Sequence, residues 1–227
     1  MPELDRLGEF FAVERTVEGD GWRPLADLVE GTYLHTRVVA THLALASRVS
    51  AASPTGAPGH ARQAVEPRVA ASVASLGLFA RLLSPTVGAM LLDVDAPADV
   101  HWREQPTGTL PLAAGAWSPP DLEAVLSDVV APLAARLRAE HSVSEQVLAG
   151  NAASAVFGAL RMATLARPDL ADRALDVGAR ALAHPYLVGT GEPDLPFRRR
   201  SCCLFYRIPG GGTCGDCVLS SGSGPAG

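Results

Sequence analysis

Apolar positions along the chain fall mainly at helical spacing. Leu34, Val38, Leu45 and Val49 recur across residues 32–51 and predict a long helix. The turn formers of Ser53-Pro-Thr-Gly-Ala-Pro-Gly59 predict an exposed loop after it. Pro67 suits a first helical turn, and Val69, Val73, Leu76, Ala80 and Leu83 make one stripe that should stop before Pro85. The pattern then changes between Thr86 and Pro120. Pro97, Pro106, Pro111 and repeated Gly exclude a long helix, while Val100-His-Trp102 and Thr109-Leu-Pro-Leu112 read as strand pieces of a small hairpin. Ser118 as N-cap with Pro119 starts another helix, apolar at Leu122, Val125, Val129, Leu133 and Leu137, that ends near His141.

Ser142-Val-Ser-Glu145 reads as a capping box for a helix to about Leu165. That helix contains the small-residue run Leu148-Ala-Gly-Asn-Ala-Ala-Ser-Ala155, which permits close approach of a neighbouring helix or loop. A further helix from Pro168 to about His184 precedes a Gly/Pro-rich connector. The expected fold is mainly α with a small central β hairpin or sheet, an α+β arrangement, and a C-terminal loop packed on helices. Residues 1–141, with the β element at about 86–117, form the side expected to take substrate. Residues 142–218 form a helical pair with the C-terminal motif, and 219–227 a disordered tail.

Composition narrows the functional classes. With 227 residues and 48% hydrophobic positions, the chain is long enough to build a core without a stapling metal. Its formal charge of -5 argues against a general grip on nucleic acid. All 19 basic residues are Arg, which removes Schiff-base and phosphate-loop lysines from consideration. The amino terminus lacks a basic region followed by an apolar stretch, so a cytoplasmic location is expected. The most apolar stretch, Leu76 to Leu92, is interrupted by Arg81 and Pro85, so no membrane-spanning segment is expected.

All four cysteines lie between Cys202 and Cys217, spaced C-C-x10-C-x2-C. A local group of four thiols in a reducing compartment points to a metal site. Zinc and an iron-sulfur cluster both take thiolates, but zinc ligand pairs usually sit two to four residues apart, and adjacent cysteines suit two irons better. Arg198, Arg199, Arg200 and Arg207 lie in a stretch, Leu195 to Thr213, that contains no carboxylate. Such charge would favour the reduced form of a cluster, unless these arginines are solvated or paired with Glu192 and Asp194. No dinucleotide fingerprint is present, because Gly210-Gly-Gly212 lies inside the cysteine loop. His35 and His42, seven apart, read as solvated or core histidines, and Asn151 as a structural residue that caps a buried carbonyl, the alternative being a hydrogen bond toward the cysteine loop.

Arg199-Arg-Ser-Cys-Cys-Leu-Phe-Tyr-Arg207 followed by Cys214-Gly-Asp-Cys217 resembles the C-terminal signature of the FhuF-like ferric siderophore reductases. Gly150-Asn151-Ala-Ala-Ser154 is similar to that family's small-residue helix, so the resemblance covers about residues 142–218. It implies a 2Fe-2S cluster on Cys202, Cys203, Cys214 and Cys217 and one-electron reduction of a ferric siderophore, of hydroxamate type, to release Fe(II). It also implies an external electron donor such as a ferredoxin or flavoprotein. Trp102, Trp117, Tyr206 and Arg207 are candidates for substrate contacts. The alternatives are an iron-sulfur redox or iron sensor acting on a protein partner, and a zinc-stapled structural module.

Overall fold

The structure, a computed structural model, describes residues 3–52, 65–105 and 108–220. The loop expected at 53–59 and all of the expected tail beyond Ser220 lie outside the described residues. Helices α1 (Ala26–Glu30), α2 (Tyr33–Ala52) and α3 (Pro67–Leu92) come first, then strands β2 (Ala96–Arg103) and β3 (Leu112–Ser118). Strand β1 (Trp22–Pro24) precedes α1 and completes a three-stranded antiparallel sheet in the order β1-β2-β3. Helices α4 (Leu122–Ala124), α5 (Ala131–His141), α6 (Glu145–Ala166) and α7 (Ala171–Leu182) follow. The fold is therefore mainly α with a small antiparallel sheet. The hairpin is present, in the register Val100↔Ala114 and Trp102↔Leu112, but its second strand begins at Leu112 and runs to Ser118, leaving Thr109, Leu110 and Pro111 outside it. A strand of three residues such as β1 is too short to show a period of two.

Helix α3 is the axis of the fold, packed mainly on α6 and α2. It does not stop before Pro85 but runs through it to Leu92, where Asp93 closes it in the left-handed conformation. Eighteen of its 26 residues are buried, so the packing of Val87, Ala89 and Leu91 outweighs the one hydrogen bond that Pro85 cannot make. The β element accordingly begins at Ala96, not at Thr86. By length and composition α3 could cross a membrane, but burial among the other helices marks it as a core helix. Gly88 lets the N-terminal segment close on it, since a Cβ there would stand 2.7 Å from Phe11 and 2.8 Å from Leu4.

Two helix starts differ from expectation. Asp121, not Ser118, caps the helix at Leu122 by accepting from the Ala124 N–H. Ser144, not Ser142, caps α6 by accepting from Val147, while Ser142 ends α5 with positive φ. Between α4 and α5 the turn Val125–Val130 widens to π geometry just ahead of Pro132. The extra residue moves the buried face from the expected Val125 and Val129 to Leu126 and Val130, after which Leu133 and Leu137 return in register. Before α7, Pro168–Leu170 forms a 3-10 turn, so the helix expected from Pro168 to about His184 is regular only over α7.

Arg81, from the middle of α3, is 4% exposed. It donates to the carbonyls of Leu110 (2.7 Å), Phe10 (2.9 Å) and Ala12 (2.7 Å), joining the helix, the N-terminal segment and the chain entering β3. Burial pushes its pKa down to about 10, which still leaves it charged near neutrality. Replacing Arg81 by Ala removes the donor from three carbonyls. The variant should lose about 3 kcal/mol or more of unfolding free energy, measured by urea denaturation.

Candidate metal centre in the C-terminal segment

From Phe197 onward the chain lies extended, and its residues alternate between inside and outside. Phe197 is buried, Arg198 exposed, Arg199 buried and Arg200 exposed. Phe197 stacks on Phe157 of α6 with ring centroids 4.2 Å apart. Arg200 N–H donates to Thr190 O at 2.7 Å, and Gly191 bridges Arg199 in antiparallel pairing. The small-residue run of α6 makes this approach possible. A Cβ at Gly150 would collide with the Ser201 hydroxyl, which is the residue just before the first cysteine.

Arg199 is the hub. Its guanidinium, 0% exposed, pairs with Asp216 at 3.1 Å and donates to Asn151 Oδ1 at 2.8 Å, to Gly150 O at 3.1 Å and to Ser154 Oγ at 2.9 Å. Ser154 Oγ donates in turn to Asp216. Asn151 passes the network on, its Nδ2 donating to Ser72 O at 2.9 Å and to Ser75 Oγ at 2.8 Å. Ser72 Oγ closes the circuit by donating to Cys203 O at 2.7 Å. Burial alone would raise the Asp216 carboxyl, but the Arg199 charge and the bonds from Ser154, Cys214 and Arg199 outweigh it and hold it below its ordinary value. Asn151 thus bonds toward the cysteine segment and serves the core at once.

Cys203 and Cys217 are buried, while Cys202 and Cys214 reach the surface in part. The sulfurs of Cys203 and Cys214 stand 3.2 Å apart. The contact lets the pair share a proton, which draws Cys203 down to about 6 against its burial and pushes Cys214 up. Backbone N–H groups two residues on face three of the sulfurs. Leu204 donates to Cys202 at 3.3 Å, Leu219 to Cys217 at 3.3 Å, and the Phe205 amide to Cys203. Leu204 adopts φ 67°, a left-handed conformation uncommon for a branched residue. It reverses the chain after the cysteine pair so that its own amide and the next turn back toward the sulfurs.

These donors fit an iron-sulfur cluster. Amide hydrogen bonds to cysteine sulfur stabilise the thiolate and tune a cluster. The buried Ser201 hydroxyl beside Cys202 has no hydrogen-bond partner within the protein. The four sulfurs do not include any three that lie mutually within 4.8 Å, whereas ligands of one tetrahedral ion at about 2.3 Å would stand about 3.8 Å apart.

Residues 199–219 match the FhuF 2Fe-2S C-terminal domain. That domain and the clustered cysteines support a 2Fe-2S cofactor, and the FhuF-like family is associated with ferric siderophore reduction. No curated protein matches the chain.

The four residues expected to contact substrate separate into two groups. Tyr206 and Arg207 form a 3-10 turn with Phe205 directly after the cysteine pair, Tyr206 exposed and Arg207 paired with Glu66 at 2.6 Å. Trp102 has no exposed surface to offer a substrate. It lies in the core, 4.7 Å from the Tyr33 ring, with its indole N–H bonded to Pro24 O at 3.1 Å. Trp117 is half-buried on β3 beneath the Arg15 guanidinium. The arginines are also less free than their spacing suggests. Arg199, Arg200 and Arg207 each face a carboxylate, at Asp216, Glu192 and Glu66.

Sequence reading missed the burial of Arg199 and the role of Ser72 and Ser75. The alternation Phe197, Arg199 against Arg198, Arg200 is visible in the letters, as are two serines three apart in the otherwise apolar stretch 69–79. Replacing Arg199 by Met leaves Asp216 without its charge partner. The variant should lose about 3 kcal/mol in denaturant titrations and retain less iron after reconstitution, while Arg200→Met, at the surface, should change stability by less than about 1 kcal/mol.

Proposed function

We propose that this chain is a ferric siderophore reductase. It would carry its 2Fe-2S cluster on Cys202, Cys203, Cys214 and Cys217 and act on ferric hydroxamate chelates in the cytoplasm. The observation that carries the reading is the convergence of a close thiol pair, amide donors aimed at three sulfurs and the clamp of buried Arg199 on Asp216 within the segment that matches the FhuF domain. When bound, the cluster supplies a site that accepts and passes on single electrons.

The rest follows from the chelate and from this chain's side chains. Hydroxamate oxygens are hard anionic ligands suited to Fe(III). One added electron gives Fe(II), for which they have much lower affinity, so reduction is release. The electron comes from an external donor, a ferredoxin or flavoprotein. The surface exposure of Cys202 and Cys214 supports an exit for the electron on their side. Exposed Tyr206 offers a flat apolar face there, and the Arg207–Glu66 pair a polar edge that fixes the turn to the start of α3. Arg199, buried beneath the cysteine segment and paired with Asp216, would hold the ligand loops in place, its charge being largely offset by that carboxylate.

Anaerobically reduced protein mixed with a ferric hydroxamate should be reoxidised at the cluster, with Fe(II) trapped stoichiometrically by a ferrous chelator. Failure of every such chelate to reoxidise it would overturn the reductase reading. A Cys203→Ser variant should lose most of its iron and acid-labile sulfide while keeping the helical circular dichroism of the wild type. Full iron content in that variant, or a colourless wild type holding one zinc, would contradict the ligand assignment.

A further inference from the structure

Helix α5 ends in Glu140 and His141, and His35 lies in the first turn of α2. Far apart in sequence, these three bring one nitrogen or oxygen each to within 4.8 Å of one another, the only such His, Cys, Asp and Glu group of three or more among the described residues. The imidazole of His141 is about nine-tenths buried, and its Nε2 atom is shut off from water with no hydrogen-bond partner. Nε2 faces Glu140 Oε2 across 3.8 Å, too far for a hydrogen bond. The His35 and His141 rings lie nearly parallel, 19° apart, with centroids separated by 6.0 Å. Glu140 divides its carboxylate, since Oε1 accepts from Arg136 Nε at 2.8 Å and Oε2 is left for the histidines. Arg136 is itself locked to the turn before α2 by the carbonyls of Val29 and Gly31.

We propose that His35, Glu140 and His141 form a second metal site, taking a divalent transition-metal ion of the Zn²⁺ type and tying the start of α2 to the end of α5. Two imidazoles and one carboxylate are the donor set that such ions prefer, whereas Mg²⁺ and Ca²⁺ take oxygen ligands. An ion there supplies the buried Nε2 with the partner it lacks. It also adds a tie between the start of α2 and the end of α5, beside the His35–His141 ring contact. His35 and Glu140 are exposed, and Glu140 Oε2 is not taken by Arg136, so both can reach the ion and leave its remaining positions to water.

The full chain with its cysteine centre loaded, followed by visible absorbance so that no thiols are released, is titrated with Zn²⁺ against a fluorescent chelator. The expected result is one Zn²⁺ per chain beyond the cluster iron, undisturbed by millimolar Mg²⁺. His35→Ala and Glu140→Gln, both at the surface, should each weaken Zn²⁺ binding by about tenfold or more, and His101→Ala on the sheet should not. Equal Zn²⁺ affinity in wild type, His35→Ala and Glu140→Gln would overturn the proposal, as would a cluster-loaded chain that takes up no Zn²⁺.

Discussion

A guanidinium with no access to water holds the cysteine segment to the helices. Arg199 brings a charge into the interior, and its desolvation is offset because nearly every donor has an acceptor: Asp216, Ser154, Asn151 and the carbonyl of Gly150. The acceptors come from two places in the chain, α6 and the Cys214–Cys217 loop. The same side chain therefore fixes the loop to itself and to its platform. Remove the charge and the loop still keeps Phe197 on Phe157, the Ser72 bond to Cys203 and Ile208 against Val69 and Ala70, but loses the one anchor that joins it both to itself and to α6.

Much of this was legible in the letters. The stripe of α2, the Leu133 and Leu137 face of α5, the hairpin, and the run of small residues in α6 that admits a neighbour are legible from spacing, and Gly150 against Ser201 is that close approach made concrete. The errors share a cause. Pro85 inside α3, the π turn ahead of Pro132 and the short strand β1 are places where tertiary packing overrides a local rule. Arg199 was hidden because a run of three arginines looks like a solvated patch unless one notices that an extended chain turns alternate residues inward.

The platform beneath the cysteines has a different chemistry from the rest of the core. Around Trp102 and Phe79 the interior is apolar and needs few directional contacts. Where α3 meets α6 at Ser72, Ser75 and Asn151, small polar groups replace apolar bulk and every one is bonded. That patch sacrifices hydrophobic burial for specificity of position, since only one arrangement satisfies all of its donors.

The left-handed Leu204 and the amides around it bear on speed as well as on affinity. A bound centre that gains an electron alters the charge on its sulfurs, and surroundings that must rearrange in response would slow the exchange. Here the nearby donors are main-chain amides set by a backbone reversal and a guanidinium immobilised in the interior, none of which has to move when the charge changes. On the proposed reading, the protein in this way supplies a medium of low reorganisation around the cysteine site.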